Sequence, residues 1–380
     1  MPQYDYIILG AGAAGLMLAD ALGSDVFFRQ HQILILDGDG KKTNDRTWCF
    51  WEKGKGPFDA ILHRSWEHIY FGGQRFSKRF AIAPYTYKMV RGIDFYQSIL
   101  ERIHSYPNIT FTQEWVRDVH NKGNEVLIKT DNCSYTGKIV FNSIFDYGTI
   151  LGQNRYPVLQ QHFIGWLVKT QKPVFTEDQV TFMDFSIAQK GNTRFMYVLP
   201  LSKTRALVEY TLFSEHLLPD TEYEQAITDY MISFYDSPDF EILDSEKGSI
   251  PMTCYGFAKH NSANILHIGT AGGWAKASTG FTFKSTAQKI PKLVAHLKNG
   301  KPLNRFTVKN RFWYYDLLLL DILHRHNEQG QHIFETMFRN IDPRKILCFL
   351  DEGTRLPEDV QVMGSAPKWL FIKALFQRLF

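Results

Sequence analysis

The chain opens on an apolar run, "YDYIIL" (Tyr4 to Leu9), that predicts a short buried strand. "GAGAAG" then turns into "LMLADAL", apolar at helical spacing, and "ILILD" (Ile33 to Asp37) predicts the next strand. Together they read as a β-α-β unit. A polar, glycine-bearing loop follows and ends in "NDRTWCFW". "MVRGIDFYQSILERI" has the period of an amphipathic helix after a strand or turn, and Ile109 to Phe145 alternates as a β-meander. From about Val158 to Phe213 the alternation continues through "QHFIGWLVKT", "VTFMDFS", "RFMYVLPLS" and "RALVEYTLF". "EYEQAITDYMISFY" then predicts a helix, and "NILHIGTAGG" runs a strand into a second glycine-rich turn with a helix beyond it to about Lys298. Arg305 to Phe380 reads as mostly helical, and the chain contains no internal repeat.

One strand carries a residue out of character. In "TRALVEYTLFS" (Thr204 to Ser214), alternation places Leu207, Glu209, Thr211 and Phe213 on one face and Tyr210 on the other. A carboxyl group in such company is either at the surface or buried at a cost.

Composition narrows the classes. A length of 380 residues predicts about two to three domains. Fifteen per cent of the residues are aromatic, 30 of them Phe, which fits either an aromatic core or the lining of a large apolar cavity. The net charge of +4 is spread without basic blocks, which argues against a nucleic-acid partner. Cys49, Cys133, Cys254 and Cys348 are far apart, so neither a disulfide framework nor a zinc site is expected, and a reducing compartment is. His324, His326 and His332 lack companion ligands at a recognised spacing, and no metal is expected. The N-terminus does not read as a signal peptide. "YYDLLLLDIL" is shorter than the roughly 20 residues a bilayer needs and carries Asp316 and Asp321, so membrane contact is expected to be peripheral.

Gly10, Gly12 and Gly15 form G-x-G-x-x-G between a strand and a helix, with Ala13 in the same turn and Asp37 ending the next strand. This is the dinucleotide pattern: glycines for the turn, the pyrophosphate approach and helix packing, an acid for the ribose hydroxyls, and a helix N-terminus for the phosphate charge. The second glycine-rich strand-turn-helix far along the chain favours FAD over NAD. The expected fold is therefore α/β: a Rossmann-type FAD-binding domain from residues 1–157 and 260–300, a β-rich substrate domain from 158–259, and a helical part from 301–380.

Five segments make the chain resemble the lycopene cyclases, the FAD-dependent flavoproteins of bacterial and plant type. They are "YDYIILGAGAAGLMLADAL", "NDRTWCFW", "FMDF", "FMYVLPLSKTRALVEYT" and "HIGTAGGWAKASTGFTF". Thr270 after Gly269 stands where flavin hydroxylases usually carry an Asp. The resemblance implies a flavin-hydroxylase-like two-domain fold and a net non-redox reaction that depends on reduced FAD. NAD(P)H is the implied electron donor, and lycopene or another acyclic-ended carotenoid the substrate. It assigns catalysis to Glu209 in "LVEYT", where the family's usual second acid is replaced by Tyr210, and it makes Asp184 a catalytic partner. Gly269, Thr270, Ala271 and Gly280 would approach the flavin, Arg46 and Arg91 would lie near the cofactor, and Trp48 and Phe213 would meet substrate. Lys276 and Ala277 replace a common His-Pro pair. A carotenoid resides in a bilayer, which implies a cytoplasmic protein at the inner face of a membrane. The basic, aromatic "APKWLFIKALFQRLF" would then set Trp369, Phe371, Ile372, Leu375, Phe376 and Leu379 in the interface, with Lys368, Lys373 and Arg378 near headgroups. A core helix is the competing expectation for that segment. An FAD-dependent monooxygenase on an apolar substrate, and a polyene-binding protein without catalysis, are the competing functions.

Overall fold

The strand Gln3–Leu9 is the centre of the first sheet, flanked in parallel by Ile33–Asp37 on one side and Ser134–Asn142 on the other. Ile109–Gln113 extends the sheet beyond the former, and Ile265–His267 pairs in parallel with the latter. Val116–Asn121 and Val126–Thr130 complete it as antiparallel neighbours of Ser134–Asn142. Ile7 to Leu9 and Ile33 to Leu36 have no exposed surface because both sheet faces are covered. The helix Ala13–Gly23 covers one face together with Gly92–His104 and Phe283–Lys298, so the segment after residue 264 returns to the nucleotide-type sheet. The computed structural model describes residues 1–307 and 309–379.

The second sheet has seven strands in the order Phe240–Thr253, Val158–Thr170, Arg205–Ser214, Thr193–Ser202, Gln179–Asp184, His68–Gly72 and Lys78–Ala81. The last two correct the expected boundary at residue 157. His68–Gly72 pairs in parallel with Gln179–Asp184, so residues 68–81 belong to the second sheet. Helix Asp220–Tyr235 covers the outer face through Ile227, Tyr230 and Met231. The inner face looks toward a small third sheet of Thr47–Lys53, Tyr85–Arg91 and Arg64–Trp66. Two buried indoles tie the pieces together: Trp66 Nε1 donates to the Pro200 carbonyl at 3.0 Å and Trp51 Nε1 to the Leu347 carbonyl at 3.0 Å.

Five helices close the remaining side: Arg311–Arg325, Gly330–Asn340, Pro343–Leu350, Leu356–Ser365 and Lys368–Leu379. Lys276 is buried beneath them, bonded to both Asp316 oxygens at 3.0 and 2.8 Å. The last helix has two faces. Leu370, Phe371 and Ala374 pack against Ile322 and Ile333, and Arg378 grips Asp321 at 2.6 and 2.8 Å. Phe371 and Arg378 thus face inward, correcting the interfacial placement expected for them. Trp369, Ile372, Leu375 and Phe376 stay exposed, Trp369 at 73 %. The side chain of Leu379 lies outside the described residues. Among the described residues no helix is long and apolar enough to cross a membrane.

Candidate functional site

The first glycine turn makes a cradle by close packing. Gly10 has φ +92°, and a Cβ on Gly15 would lie 1.9 Å from the Gly10 carbonyl oxygen, so neither position accepts a side chain. Gly12 differs: a Cβ there would meet nothing within 4 Å. The open space lies at the start of helix Ala13–Gly23, where unpaired N–H groups and the helix dipole favour an anion. Asp37 reaches the same turn, accepting from the Ala11 N–H at 2.5 Å and facing Lys41 at 3.3 Å. Gly269, φ +59°, brings the second turn against Ala14.

Gly12, Ala13, Arg46, Gly269, Thr270 and Gly280 line one end of a cavity of about 630 Å³. The Gln161 amide oxygen also lines it, buried and without a hydrogen-bond partner. The cradle, the open backbone at Gly12 and this orphaned acceptor fit a dinucleotide whose ring carries N–H donors. Ala271 is buried within its turn and does not reach the cavity. Arg91 does not reach it either. It stands at the start of helix Gly92–His104 and pairs there with Asp94, three residues on, at 2.7 and 2.8 Å.

Further along, the cavity wall is the inner face of the second sheet. Leu207, Glu209, Thr211 and Phe213 all line it, whereas Tyr210 points to the other face and accepts from Arg194 at 2.7 Å. Glu209 is 8 % exposed and is surrounded by Tyr197, Phe163, Phe182 and Leu207. A second carboxylate, missed in the sequence, meets it. Glu209 and Glu246 pair with the same residue, Gly165, from strands on either side of it. A Cβ on Gly165 would overlap Glu209, 2.6 Å from its Cγ, and would touch Glu246, 3.4 Å from its Cγ, so glycine lets the two acids lie side by side across this strand. Burial, then the Glu246 charge and hydrogen bond, push the Glu209 carboxyl well above the usual range. Burial raises Glu246 too, but hydrogen bonds from Thr47, at 2.8 Å, and from Glu209 pull it back. Both carboxyls are held above the usual range, Glu209 further than Glu246, and the two titrate as a pair.

Asp184 takes no part in this. It is fully buried on the opposite side of the sheet, accepting from Tyr230 at 2.7 Å and from the Ser186 N–H at 2.9 Å. Strict alternation would set it beside Phe182, but the register slips between Thr181 and Asp184. Phe182 and Met183 both face the cavity as a result, and Asp184 turns away. Trp48 shows only part of itself to the cavity. Its ring packs in the first core, 5.0 Å from Phe283 and 5.2 Å from Phe95. Phe213 lies on the open wall, 5.4 Å from Phe195. Beyond it the cavity continues under the C-terminal helices, past Phe334, Met337, Val362, Met363 and Phe371.

The sequence matches the family model described as lycopene cyclase protein over residues 5–376. The chain belongs to the lycopene cyclase family. No curated protein matches it by sequence. Among solved structures, this cyclase-family chain is similar to a flavoprotein/dehydrogenase from Cytophaga hutchinsonii, at 13% identity over 99% of each chain with a TM-score of 0.65. It is also similar to a geranylgeranyl bacteriochlorophyll reductase-like protein from Thermoplasma acidophilum, at 11% identity over 100% of each with a TM-score of 0.60. A third is the p-nitrophenol 4-monooxygenase PnpA of Pseudomonas putida, at 11% identity over 98% of each with a TM-score of 0.58. These likenesses establish the fold: a two-domain flavoprotein architecture with a helical C-terminal part.

Two predictions follow from the site's packing and charge. Gly12→Ala, which meets no atoms, leaves the thermal stability of the flavin-free protein unchanged and weakens FAD binding at least about tenfold. Gly15→Ala, which overlaps backbone, destabilises the protein itself by about 1–3 kcal/mol. Flavin titration beside thermal melts separates the two. The second concerns Glu209, whose folded pKa lies above its unfolded one. Folding then opposes its ionisation, so its cost to stability is absent below the ordinary carboxylate range and grows as pH rises toward the folded value. Glu209→Gln removes that cost, and melts across a pH series should show a gain in Tm at neutral pH that vanishes near pH 4.

Proposed function

We propose that the chain is an FAD-dependent lycopene β-cyclase, converting the acyclic ends of lycopene to β-rings without net oxidation or reduction. The observation that carries this reading is a buried carboxyl group, Glu209, held toward its neutral form in the wall of a largely apolar cavity that is continuous with a dinucleotide cradle. A hydrocarbon offers no polar handle, so recognition must come from shape, apolar contact and stabilisation of charge.

In this reading Glu209 gives its proton to the terminal double bond, leaving a tertiary cation. The neighbouring double bond closes on it to form a six-membered ring, and a proton then leaves to give the ring double bond. Atoms and charge balance, and the product is an isomer of the substrate. Once deprotonated, Glu209 lies beside the cation. At about 4 Å and an effective dielectric near 20 that contact is worth about 4 kcal/mol, roughly a thousandfold in rate. The rings of Phe163, Phe182 and Tyr197 on the same wall add about 0.5–2 kcal/mol where they face the charge. The cavity walls exclude water that would otherwise trap the cation.

Gly12, Ala13, Gly269, Thr270 and Gly280, with Arg46 and Gln161, would hold FAD, and Asp37 would stand by its ribose. When bound and reduced, FAD supplies negative charge near the developing cation, with NAD(P)H as the proposed donor of electrons. An acyclic carotenoid would enter from a bilayer through the far end of the cavity. Val362, Ala366 and Phe371 line that end from beneath, and the same two helices expose Leu356, Val360, Trp369 and Leu375 outward. Lys368 and Lys373 flank this patch in the sequence, suiting it to an anionic membrane surface.

A flavin monooxygenase is the competing reading, favoured by the shared fold with the p-nitrophenol enzyme. Anaerobic incubation with FAD, dithionite or NADPH and lycopene in liposomes decides between them. A ring-bearing product of unchanged mass, formed only with reduced flavin, is expected. Hydroxylated product with stoichiometric oxygen consumption in air would replace this reading with the monooxygenase. Glu209→Gln should cut cyclisation about a thousandfold or more while FAD stays bound. In a separate flotation assay with anionic liposomes, Trp369→Glu with Leu375→Glu should leave the protein in the soluble fraction, where the unaltered chain floats.

A further inference from the structure

Resting on the cyclase reading, the second acid acquires a role. We infer that Glu246 acts on the reaction through Glu209, as the charged partner that shares one proton with it across the gap at Gly165. Three independent features support the pairing. The strand order puts both glutamates against one residue of the intervening strand. That residue is a glycine, and any side chain on it would overlap Glu209. Thr47, from the third sheet, donates to Glu246 and to no other carboxylate, which favours the charged form on that side.

The arrangement addresses a difficulty of acid catalysis on an alkene. A lone carboxyl group in an apolar wall keeps its proton but gains little when it ionises. With Glu246 beside it, the proton stays on Glu209 at rest because two adjacent charges repel. When the proton moves to substrate, the wall holds two carboxylates facing one cation, and the repulsion is relieved by that cation. The proton lost from the ring returns to Glu209, and Glu246 is unchanged over the cycle. Glu246 is thus a positioning residue.

The other titratable groups around the pair are Tyr197 on Thr193–Ser202, Tyr87 on Tyr85–Arg91 and Cys49 on Thr47–Lys53, with Arg46 and Asp244 near Glu246. Burial pushes the thiol and both phenols up, so all three stay neutral across the working range. The pair therefore titrates as one unit beside the fixed charge of Arg46.

The test is an infrared pH titration of the flavin-loaded full chain, following the band of a protonated carboxyl group, alongside the pH profile of cyclisation. The unaltered protein should hold one such band at neutral pH, and Glu209→Gln should remove it. Glu246→Gln removes the repulsion, so the band should titrate lower by about one pH unit or more, tenfold in proton affinity. The basic limb of the activity profile should move with it. Thr47→Val withdraws support from the charged form and should shift both in the opposite direction. A band that survives Glu209→Gln, or one that neither Glu246→Gln nor Thr47→Val moves, overturns the inference. Because the band is read without substrate, a protein that makes no ring yet shows these shifts refutes the cyclase reading and leaves the pair standing.

Discussion

A carboxyl group in a hydrocarbon-lined space keeps its proton unless something nearby holds the charge for it. The interior of this molecule is organised around that constraint. The inner face of the second sheet brings Glu209 to the cavity, where it is 8 % exposed beside Tyr87 and Cys49 of the third sheet. The third sheet contributes Thr47, the donor that favours the charged form of Glu246. The indoles of Trp51 and Trp66 fix that sheet to the helices and to the second sheet respectively. The acid centre is thus assembled from parts that lie far apart in the chain.

The same is true of the cavity as a whole. Its cofactor end belongs to a parallel sheet and its glycine turns, its middle to an antiparallel wall, and its far end to helices packed by Leu319, Phe334 and Met337. Neither half alone encloses it. A dinucleotide cradle needs backbone N–H groups and open space, which glycine turns supply. A hydrocarbon site needs the reverse, apolar side chains on a surface with every backbone group paired, which a sheet supplies.

What could be read from sequence follows the range of the interactions involved. The glycine turn at Gly10, Gly12 and Gly15 is local, and its spacing alone specifies it. The wall of Leu207, Glu209, Thr211 and Phe213 follows from the period of a strand, and Tyr210 falls on the other face for the same reason. Asp184 takes its expected role from the family resemblance alone, and the register slip after Thr181, which alternation cannot show, turns it away from the wall. Residues 68–81 were misassigned because a parallel pairing with a strand more than a hundred residues later leaves no local sign. Glu246 was missed for a related cause. It meets Glu209 only because Val158–Thr170 lies between their strands, an order that chain sequence does not state. The one clue was Gly165, a glycine in the apolar run "QHFIGWLVKT".

Gly165 also bears on how such a site can change over generations. Its backbone is ordinary strand, so the position does not demand glycine for conformation. It demands glycine because Glu209 occupies the volume a Cβ would take. Every amino-acid replacement of glycine introduces that atom, so no substitution here is free of overlap while Glu209 keeps its place. Drift along this wall must begin with Glu209, and only after that change can the residue beside it diversify.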